Sequence, residues 1–362
     1  MSNAASRPWI LAPNRVERFF IGGRELDKWQ RLAEDSGFGD STFSEELLIN
    51  TNPYIGPGTP PFQGLSFAEG AGVTLREMIA SDPKGFLGTS ANAAFAEECS
   101  VLCKGGDSTG RLILQYHPTR AFAREHLRCA FGKTEAWYML GFRGTKDPYC
   151  YAGFKPGVTR EHFEKLVAAD DVAGMLDCIH KVPFAPGDTV LVPAGMIHAM
   201  GPDTTFIEVH EPCDYTMRFE RDNYGRRMED NDLHYGLGFP ALFDGLSFQT
   251  YTAEEIKTRV HSSPQPVAAG EGWALQTLLP FTACPEFSMV KLTLKGRFSL
   301  PQEGFFQELI ALRGDVSLGE WMLPQGRAAF IPAATDPLTL ESPDAEILWV
   351  KPGVPQSHGQ TI

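Results

Sequence analysis

Short runs of β-branched and aromatic residues, bounded by glycine and proline, dominate the hydrophobic pattern of the chain, and this pattern is typical of β-strands. The first half contains four such runs: Arg111–Tyr116, Glu135–Phe142, Thr189–Val192 and Thr205–Val209. The second half contains four more: Phe287–Leu294, Gln307–Ala311, Arg327–Ile331 and Ile347–Val350. Short strands at this spacing predict a mainly β protein that folds into jelly-roll barrels.

Helical patterns are confined to a few segments between the strands. Residues 74–79 predict a short helix, and apolar residues at near-helical spacing predict one or two helices over Glu161–Ile179. Thr252 and Glu255 form a capping box, which predicts a helix that begins there and ends near Val260. The helices are therefore expected as insertions into, or connections between, β-barrels.

The length of 362 residues predicts two domains. The best boundary is the segment Ser262–Gly272, which is rich in small residues and proline. We expect a first barrel over residues 1–222 with a helical insertion around 157–180, a helical connector over 223–266, and a second barrel over 267–352. Residues 54–64 form a loop rich in proline and glycine.

Charge and cysteine content exclude several classes of function. A formal net charge of -13 without a cluster of basic residues argues against nucleic-acid binding. No apolar run is long enough to span a bilayer, and the first 13 residues lack a secretory signal pattern. The seven cysteines are scattered without a C-x-x-C pair, which indicates reduced thiols in a cytoplasmic protein.

The most informative stretch is Gly187-Asp-Thr-Val-Leu-Val-Pro-Ala-Gly-Met-Ile-His198. Gly187 begins a strand after a turn, Pro193 ends its pairing, and Gly195 allows a tight turn that presents His198 at the mouth of a barrel. The spacing G-x5-P-x-G-x2-H resembles the second metal-binding motif of the cupin superfamily. The alternative is a hairpin that carries an incidental histidine.

Three further residues qualify as metal ligands with His198. Gln115 and His117 are two positions apart at the end of a predicted strand, so both can point into one barrel. Glu135 begins the next predicted strand. Two imidazoles and two oxygen donors suit one Zn²⁺ ion per chain with positions open for water or substrate. Taken alone, Gln115 could equally be a solvated strand residue and Glu135 a surface carboxylate.

The sequence also resembles the type I mannose-6-phosphate isomerases, a family within the cupin superfamily. The resemblance runs in order from about residue 16 to residue 220 and rests on the motifs Ile21-Gly22-Gly23, Glu46 with Asn52-Pro53, Gly72–Ile79, Phe86-Leu87-Gly88, Gln115–Pro118, Lys133–Tyr138, Val192–Ala199, and Glu208 with Asp214–Arg218. It implies two cupin-type jelly-roll barrels with helical insertions, of which the second binds no metal.

The same resemblance implies a zinc-dependent isomerase that interconverts an aldose and a ketose, most naturally mannose 6-phosphate and fructose 6-phosphate. By position, the metal ligands are Gln115, His117, Glu135 and His198, and the active-site cations are Lys133 and Arg218. The expected partner is a small sugar or sugar phosphate, without nucleic acid or membrane, on a monomer or small homo-oligomer.

Three more residues match pocket positions of this family. Lys104 matches a basic position and Glu46 a carboxylate, although either could be a solvated charge. His210 stands where the family has glutamine. It is either a polar substrate contact or a histidine whose hydrogen bonds are purely structural.

Two departures from the family pattern concern the substrate. The family has serine two residues before the metal-binding glutamine, where it helps to hold the sugar phosphate, but this chain has Ile113. The segment His210-Glu211 adds a carboxylate near the pocket. A different sugar phosphate or an unphosphorylated sugar is therefore an alternative substrate. Two other classes remain open: a non-catalytic sugar- or metal-binding sensor, and an iron-dependent dioxygenase, which the glutamine ligand disfavours.

Overall fold

A computed structural model describes residues 4–33, 35–53, 63–89, 98–144 and 147–353 of the chain. Most of the predicted proline- and glycine-rich loop, residues 54–62, lies outside the described residues. The sheets and helices below refer to the described part of the chain.

Most of the secondary structure is β. In the first half the strands are β1 (Trp9–Ile10), β2 (Arg15–Val16), β3 (Glu45–Ile49), β4 (Leu102–Ser108), β5 (Gln115–Tyr116), β6 (Glu135–Phe142), β7 (Tyr149–Phe154), β8 (Ile179–Pro183), β9 (Thr189–Val192), β10 (His198–Met200), β11 (Thr204–His210) and β12 (Met217–Arg218). In the second half they are β13 (Asp222–Asn223), β14 (Arg226–Arg227), β15 (His261–Ser262), β16 (Gln265–Gly270), β17 (Trp273–Leu279), β18 (Phe287–Leu300), β19 (Gln307–Arg313), β20 (Val316–Leu318), β21 (Trp321–Leu323), β22 (Ala328–Ile331) and β23 (Leu338–Pro352).

Two antiparallel sheets make up the first barrel. One has seven strands in the order β15-β9-β6-β11-β4-β3-β2, and the other has five in the order β12-β5-β10-β7-β8. The second barrel is a nine-stranded antiparallel sheet in which β1-β22-β19-β23-β18-β17-β16 are neighbours in this order, with β20 and β21 at its side. A mainly β architecture is thus present, as predicted.

The helices are short and mostly capped by side chains. They are a 3-10 turn (Ala4–Ser6), α1 (Arg24–Trp29), α2 (Leu75–Ser81), α3 (Pro83–Leu87), α4 (Arg120–His126), α5 (Arg160–Ala168), α6 (Val172–Asp177), α7 (Asp230–His234), α8 (Phe239–Asp244) and α9 (Ala253–Val260). Thr252 and Glu255 form the predicted capping box of α9, and Thr74 with Glu77 forms another on α2. None of the described helices combines the length and apolar character that a membrane span requires.

One hydrophobic core joins the two barrels. The outward-facing residues of the seven-stranded sheet, among them Cys103, Ile207 and Val209, pack against Phe330 and Val350 of the nine-stranded sheet. As a result, strands β4 and β11 are buried along their whole length. The second barrel therefore shields the outer face of the seven-stranded sheet from solvent.

Three details differ from the sequence-based expectations. The strand predicted at Arg111–Tyr116 is limited to Gln115–Tyr116, and the Leu114 amide just before it donates to the Glu220 carboxylate and not to a neighbouring strand. Residues 265–270, expected in a boundary segment, form the edge strand β16. Trp9–Ile10 pairs with β22 of the second barrel, although it lies at the start of the chain.

The three-part division of the chain remains a proposal. Leu242 and Phe243 of α8 belong to the apolar core of the first barrel, as do Ile256 and Val260 of α9. The predicted connector over 223–266 contains α7, α8 and α9, and the last two of these helices pack on the first barrel.

Glu308 of β19 lies in the core between the barrels, and it generates a prediction about stability. Its Oε2 lies 2.9 Å from Sγ of Cys103 and its Oε1 lies 4.0 Å from Sγ of Cys99. Burial raises the pKa of Glu308 to about 8. Between the ordinary carboxyl pKa of 4.5 and this value, the folded state holds one more proton than the unfolded state. The contribution of Glu308 to the free energy of unfolding therefore falls as the pH rises through this window, by up to ~1.4 kcal/mol per pH unit.

We expect Glu308→Gln to remove this contribution, since the amide stays neutral at every pH. Urea denaturation of the variant and the parent between about pH 5 and pH 8 measures the difference in slope. Glu320→Gln, which alters an exposed carboxylate at a turn of the same sheet, is the matched control. Parallel stability curves for Glu308→Gln and the parent would contradict the prediction.

Candidate metal centre

Strand register in the five-stranded sheet aligns three predicted site residues. His198 of β10 lies opposite Gln115 of β5, and Gln115 lies opposite Arg218 of β12. Directly opposed residues of antiparallel strands point to the same face of the sheet. The three residues therefore start from neighbouring positions on one face of this sheet.

The seven-stranded sheet supplies the other side of the site. Glu135 of β6 lies opposite His210 of β11, and Glu208 of β11 lies opposite Lys104 of β4. Because side chains alternate along a strand, Glu208 and His210 share a face. Trp137 lies on the same face of β6 as Glu135, and its ring makes an edge-type contact with the His198 ring, with 5.7 Å between the centroids. This face of the seven-stranded sheet is therefore turned towards the five-stranded sheet.

His117, Glu135 and His198 converge to form the centre of the site. One donor atom from each of these residues lies within 4.8 Å of the other two, and all three side chains are buried. Oε2 of Glu135 lies 3.2 Å from Nε2 of His117, and Oε1 lies 3.3 Å from Nε2 of His198. The three side chains thus present their donor atoms to one common point.

Gln115 lies at the edge of this cluster. Its Nε2 is 3.3 Å from Nε2 of His198. A half-turn of the terminal amide exchanges its nitrogen and oxygen, so Gln115 can present an oxygen donor from the same place. All four residues predicted as metal ligands are therefore brought together by the structure.

Backbone carbonyls fix the orientation of both imidazoles. Nδ1 of His117 lies 3.0 Å from the carbonyl oxygen of Tyr215, and Nδ1 of His198 lies 2.9 Å from that of Met196. Because a carbonyl only accepts hydrogen bonds, each Nδ1 carries the proton and each Nε2 keeps its lone pair. This is the arrangement in which histidine binds a metal through Nε2.

A tight turn brings the two histidine segments into register. Gly195 has a φ of 84°, which favours glycine, and its amide donates to the carbonyl oxygen of His117 over 2.7 Å. The turn that delivers His198 is thereby tied to the end of β5. The glycine of the sequence motif has this structural purpose.

The ionisation states suit a cation. Burial, followed by the nearby Lys133 ammonium, lowers the pKa of His117 to about 4, and burial also lowers the pKa of His198. Burial alone would raise the pKa of Glu135, but Lys133 and the two imidazoles outweigh it and hold this pKa well below its usual range. At neutral pH the cluster therefore offers two neutral imidazoles and one carboxylate.

A buried chain of alternating charges extends from the cluster. Lys133 Nζ lies 3.0 Å from Oε2 of Glu135 and 2.9 Å from Oε1 of Glu208. Lys104 Nζ lies 3.3 Å from the same oxygen of Glu208 and 3.2 Å from Oε1 of Glu45. Burial and the adjacent Glu135 raise the pKa of Glu208 to about 7, against the effect of the two ammonium groups.

The donor set fits a divalent metal ion. Oε2 of Glu135 is buried and accepts no hydrogen bond of normal geometry, although Lys133 is close to it. Lys133 Nζ also lies 3.2 Å from Nε2 of His117, so a cationic group already neighbours the lone pairs that a metal would use. Glu208 is a second partner for Lys133, and this ammonium can keep its charge compensated when a metal takes the histidines and Glu135.

The structure does not bring Glu46 into the pocket. Glu46 is buried on the other side of β3, where it accepts hydrogen bonds from the amide of Asn14 and from Nε of Arg15. The carboxylate that faces Lys104 belongs to the preceding residue, Glu45, which also pairs with Arg18. A shift of one residue along a strand reverses the face, and this explains the difference.

His210 and Arg218 occupy the two flanks of the cluster. Nδ1 of His210 lies 2.6 Å from the carbonyl oxygen of Glu211, and burial followed by Lys133 holds its pKa well below the usual range. His210 also lines a pocket at the mouth of the barrel, beside Lys104 and Asp214. Arg218 lies half-buried and donates through Nη1 to the carbonyl oxygen of Asp232 and to the hydroxyl of Tyr235.

The pocket at the barrel mouth is polar on most sides. Its lining consists of Arg18, Leu47, Asn50, Asn52, Leu102, Lys104, His210 and Asp214. Hydroxyl groups of a sugar match such a mixture of donors, acceptors and charges. Sequence reasoning missed Arg18, Glu45 and Asn50, because no motif position falls on these residues, although Glu45 and Asn50 adjoin the motif of Glu46 and Asn52-Pro53. Asn52, Glu208 and Asp214 lie in segments of the family motif and could have been found from it.

Comparisons with known proteins agree with this picture. No protein-family model matches the chain. The probable mannose-6-phosphate isomerase GmuF of Bacillus subtilis is 28% identical over 202 residues, which cover 56% of this chain and 58% of that protein. The mannose-6-phosphate isomerase ManA of Bacillus subtilis is 25% identical over 229 residues, which cover 62% and 65%. The match thus spans less than two thirds of these relatives.

Solved structures resemble the chain over almost its whole length. A mannose 6-phosphate isomerase from Bacillus subtilis superposes with a TM-score of 0.71 at 17% identity, covering 96% of this chain and 100% of that one. The apo form of the enzyme from Salmonella typhimurium gives 0.68 at 15% identity, with the same coverage. The predicted fold, two cupin-type barrels with helical insertions, and the predicted resemblance to the mannose-6-phosphate isomerases are confirmed.

We expect His198→Ala and Glu135→Ala to abolish metal binding, because each change removes one of the three donors that meet at the cluster. Elemental analysis after dialysis against Zn²⁺ gives the metal content per chain, which we expect near one for the parent and near zero for both variants. His126→Ala, on the surface of α4, is the matched control. A variant that keeps the full metal content would exclude that residue from the ligand set.

Proposed function

We propose that this protein is a zinc-dependent isomerase that interconverts an aldose and a ketose, with mannose 6-phosphate and fructose 6-phosphate as the first substrates to test. The observation that carries the proposal is the convergence of His117, Glu135 and His198 beside Lys133 inside the barrel. The similarity to proteins named mannose-6-phosphate isomerase supports the reaction class.

Gln115, His117, Glu135 and His198 would hold the metal ion. When bound, a divalent cation supplies Lewis-acid polarisation of a carbonyl or hydroxyl oxygen. Isomerisation moves one hydrogen between C1 and C2 of the sugar through an enediol-type intermediate, so negative charge develops on an oxygen at the reacting carbons. The site therefore has to stabilise an oxyanion and to provide groups that accept and return a proton.

The buried ammonium groups of Lys133 and Lys104 would stabilise the oxyanion. Lys133 and Lys104 are held by Glu135, Glu208 and Glu45, so their positions are fixed before a substrate arrives. Together with Arg18, the row of alternating buried charges contains three cations and three carboxylates. A bound divalent ion would therefore give this row a net positive charge. An anionic oxygen is then favoured locally although the whole protein is acidic.

Arg218, in the five-stranded sheet, would also stabilise the oxyanion. Arg218 of β12 lies opposite Gln115 of β5. Its guanidinium donates hydrogen bonds to the carbonyl oxygen of Asp232 and to the hydroxyl of Tyr235. An anchored guanidinium offers a planar set of donors at little cost in conformational entropy. We therefore assign Arg218 to the stabilisation of charge on the substrate.

The metal-binding residues and the pocket lie side by side. Lys104 and His210 line the pocket, and both neighbour Glu208 or Glu135 across the strands of the sheet. A sugar in the pocket would reach the cluster with one end while its hydroxyls meet Asn50 and Asn52. We assign Lys104 and His210 to substrate binding on this basis.

Ile113 bears on the phosphate group of the substrate. It is 7% exposed and packs with Met228, Leu233 and Phe239 in a separate apolar cluster. The position two residues before Gln115 is thus dry and offers no hydroxyl donor. Ile113 therefore binds a phosphate group less well than a serine at the same position would.

We expect the zinc-loaded protein to interconvert mannose 6-phosphate and fructose 6-phosphate, and to lose this activity on chelation. The test is a coupled assay over aldoses with and without a 6-phosphate. In the same assay, Ile113→Ser should raise kcat/KM for phosphorylated substrates by about tenfold, since a hydrogen bond to a charged group contributes ~1.5 kcal/mol. Ile113→Val, which removes volume without adding a hydroxyl, is the control.

Binding of sugars without turnover of any of them would favour the sensor function and contradict the proposal. Undiminished turnover in metal-stripped protein would exclude the role of the metal. Equal gains for Ile113→Ser and Ile113→Val would show that the hydroxyl group is not the cause.

We expect Arg218→Ala to lower kcat by about one to two orders of magnitude while the zinc content stays at the parental level, because a charge-stabilising donor is lost but no ligand is. Steady-state kinetics and elemental analysis on the same preparation check both statements. Arg227→Ala, an exposed arginine on the neighbouring hairpin, is the control. An unchanged kcat would remove Arg218 from the reaction.

A further inference from the structure

Glu211 follows directly on β11 and is buried, with 1% of its surface exposed. Its carboxylate accepts two hydrogen bonds. Oε2 accepts from the backbone amide of Thr134 over 3.0 Å, and Oε1 accepts from Nε of Arg120 over 2.5 Å. The backbone amide of Glu211 also donates to the carbonyl oxygen of Thr134 over 3.1 Å. Glu211 thus holds both polar backbone groups of Thr134.

Thr134 lies between two residues of the metal centre. Lys133, the buried cation, precedes it, and Glu135, the candidate ligand, follows it. The amide of Lys133 donates to the carbonyl oxygen of Pro118 over 3.0 Å. The backbone that leads into β6 is therefore held by Pro118 at residue 133 and by Glu211 at residue 134.

The loop before β6 packs closely against the start of α4. A Cβ atom added at Gly132 would lie 2.7 Å from the backbone nitrogen of Arg120 and 2.9 Å from the carbonyl oxygen of Pro118. The two backbone segments therefore approach more closely than a side chain at residue 132 would allow. Glu211 bridges these segments, because one of its oxygens binds Thr134 and the other binds Arg120.

The position requires a carboxylate. Thr134 and Arg120 both direct N–H groups at the side chain of Glu211, and a carboxylate can accept from both. A glutamine amide has one acceptor oxygen, and its nitrogen only donates, so one of the two donors would face an N–H group. The negative charge is compensated by Arg120. Among the described residues, the pocket lining includes His210 but not Glu211.

We propose that Glu211 is a positioning residue that acts together with Arg120: its carboxylate holds Thr134 where Lys133 and Glu135 reach the metal centre. The inference rests on the proposed function, which assigns Lys133 to the oxyanion and Glu135 to the metal. A displacement of about 1 Å in a group that acts on the substrate can lower the rate by about a hundredfold. The carboxylate that the sequence places beside the pocket therefore serves the site without contacting the substrate.

The first experiment compares Glu211→Gln with the parent. The matched control is Glu125→Gln, which alters an exposed carboxylate of α4. Steady-state kinetics of the zinc-loaded protein, elemental analysis, and the visible absorption spectrum of the Co²⁺-loaded protein are measured on each. We expect Glu211→Gln to lower kcat by at least about tenfold with little change in KM, and to alter the Co²⁺ spectrum at an unchanged metal content. The control should match the parent.

The second experiment tests whether Glu211 acts through its two donors. Arg120→Leu alone should lower kcat less than Glu211→Gln, because Thr134 keeps its acceptor. In the double variant the competing donor is gone, so the single amide oxygen can serve Thr134. We therefore expect the double variant to be more active than Glu211→Gln, with a Co²⁺ spectrum closer to that of the parent. Two independent losses of stability would make the double variant worse than either single variant.

An unchanged kcat and Co²⁺ spectrum in Glu211→Gln would overturn the proposal, as would a double variant that is no more active than Glu211→Gln. Circular dichroism shows whether each variant is folded. If Glu211→Gln did not fold, an undiminished kcat in Arg120→Leu, which changes a half-buried residue, would still overturn the proposal. If the parent converted no sugar, the proposed function would fail, but the Co²⁺ spectra would still test whether Glu211 positions Glu135.

Discussion

The compensation of buried charge is the constraint on which the site depends. Isolated charges inside a barrel would be strongly destabilising, because they lose hydration that a single partner does not replace. Here Lys104 and Lys133 each lie between two carboxylates and Arg18 pairs with Glu45, in the order Arg18, Glu45, Lys104, Glu208, Lys133, Glu135. Removal of any internal member would leave its neighbours uncompensated, so the positions of all are mutually determined.

The same constraint explains why the two imidazoles and Glu135 are already oriented for a metal ion. The imidazoles of His117 and His198 are oriented by backbone carbonyls, and Glu135 is held by Lys133. The lone pairs therefore converge because of contacts that lie outside the ligand set. The Gln115 amide has to turn in order to present its oxygen, and Lys133 Nζ, 3.2 Å from Nε2 of His117, has to leave that lone pair free.

Much of this site could be predicted from the sequence where a motif and a strand pattern coincide. The turn at Gly195 and the alternation of Gln115 and His117 pointed to three of the candidate ligands, since both features are local. Glu46 was expected in the pocket because the motif fixes a residue type but not a strand face, and the pairing of β3 with β4 turns Glu45 inward instead.

The second barrel has a physical role although no residue of it belongs to the cluster. The seven-stranded sheet presents Lys104 and Glu208 on its inner face and Cys103 and Ile207 on its outer face, and the second barrel covers the outer face. Without that cover, water would reach the backbone behind the charged residues and raise the local dielectric constant. Electrostatic interactions between buried groups would then weaken severalfold. The shared core between the barrels thus keeps the ion pairs strong and the cluster in place, and this accounts for strands that are buried on both faces while carrying a polar sequence such as Lys104-Gly105-Gly106-Asp107-Ser108.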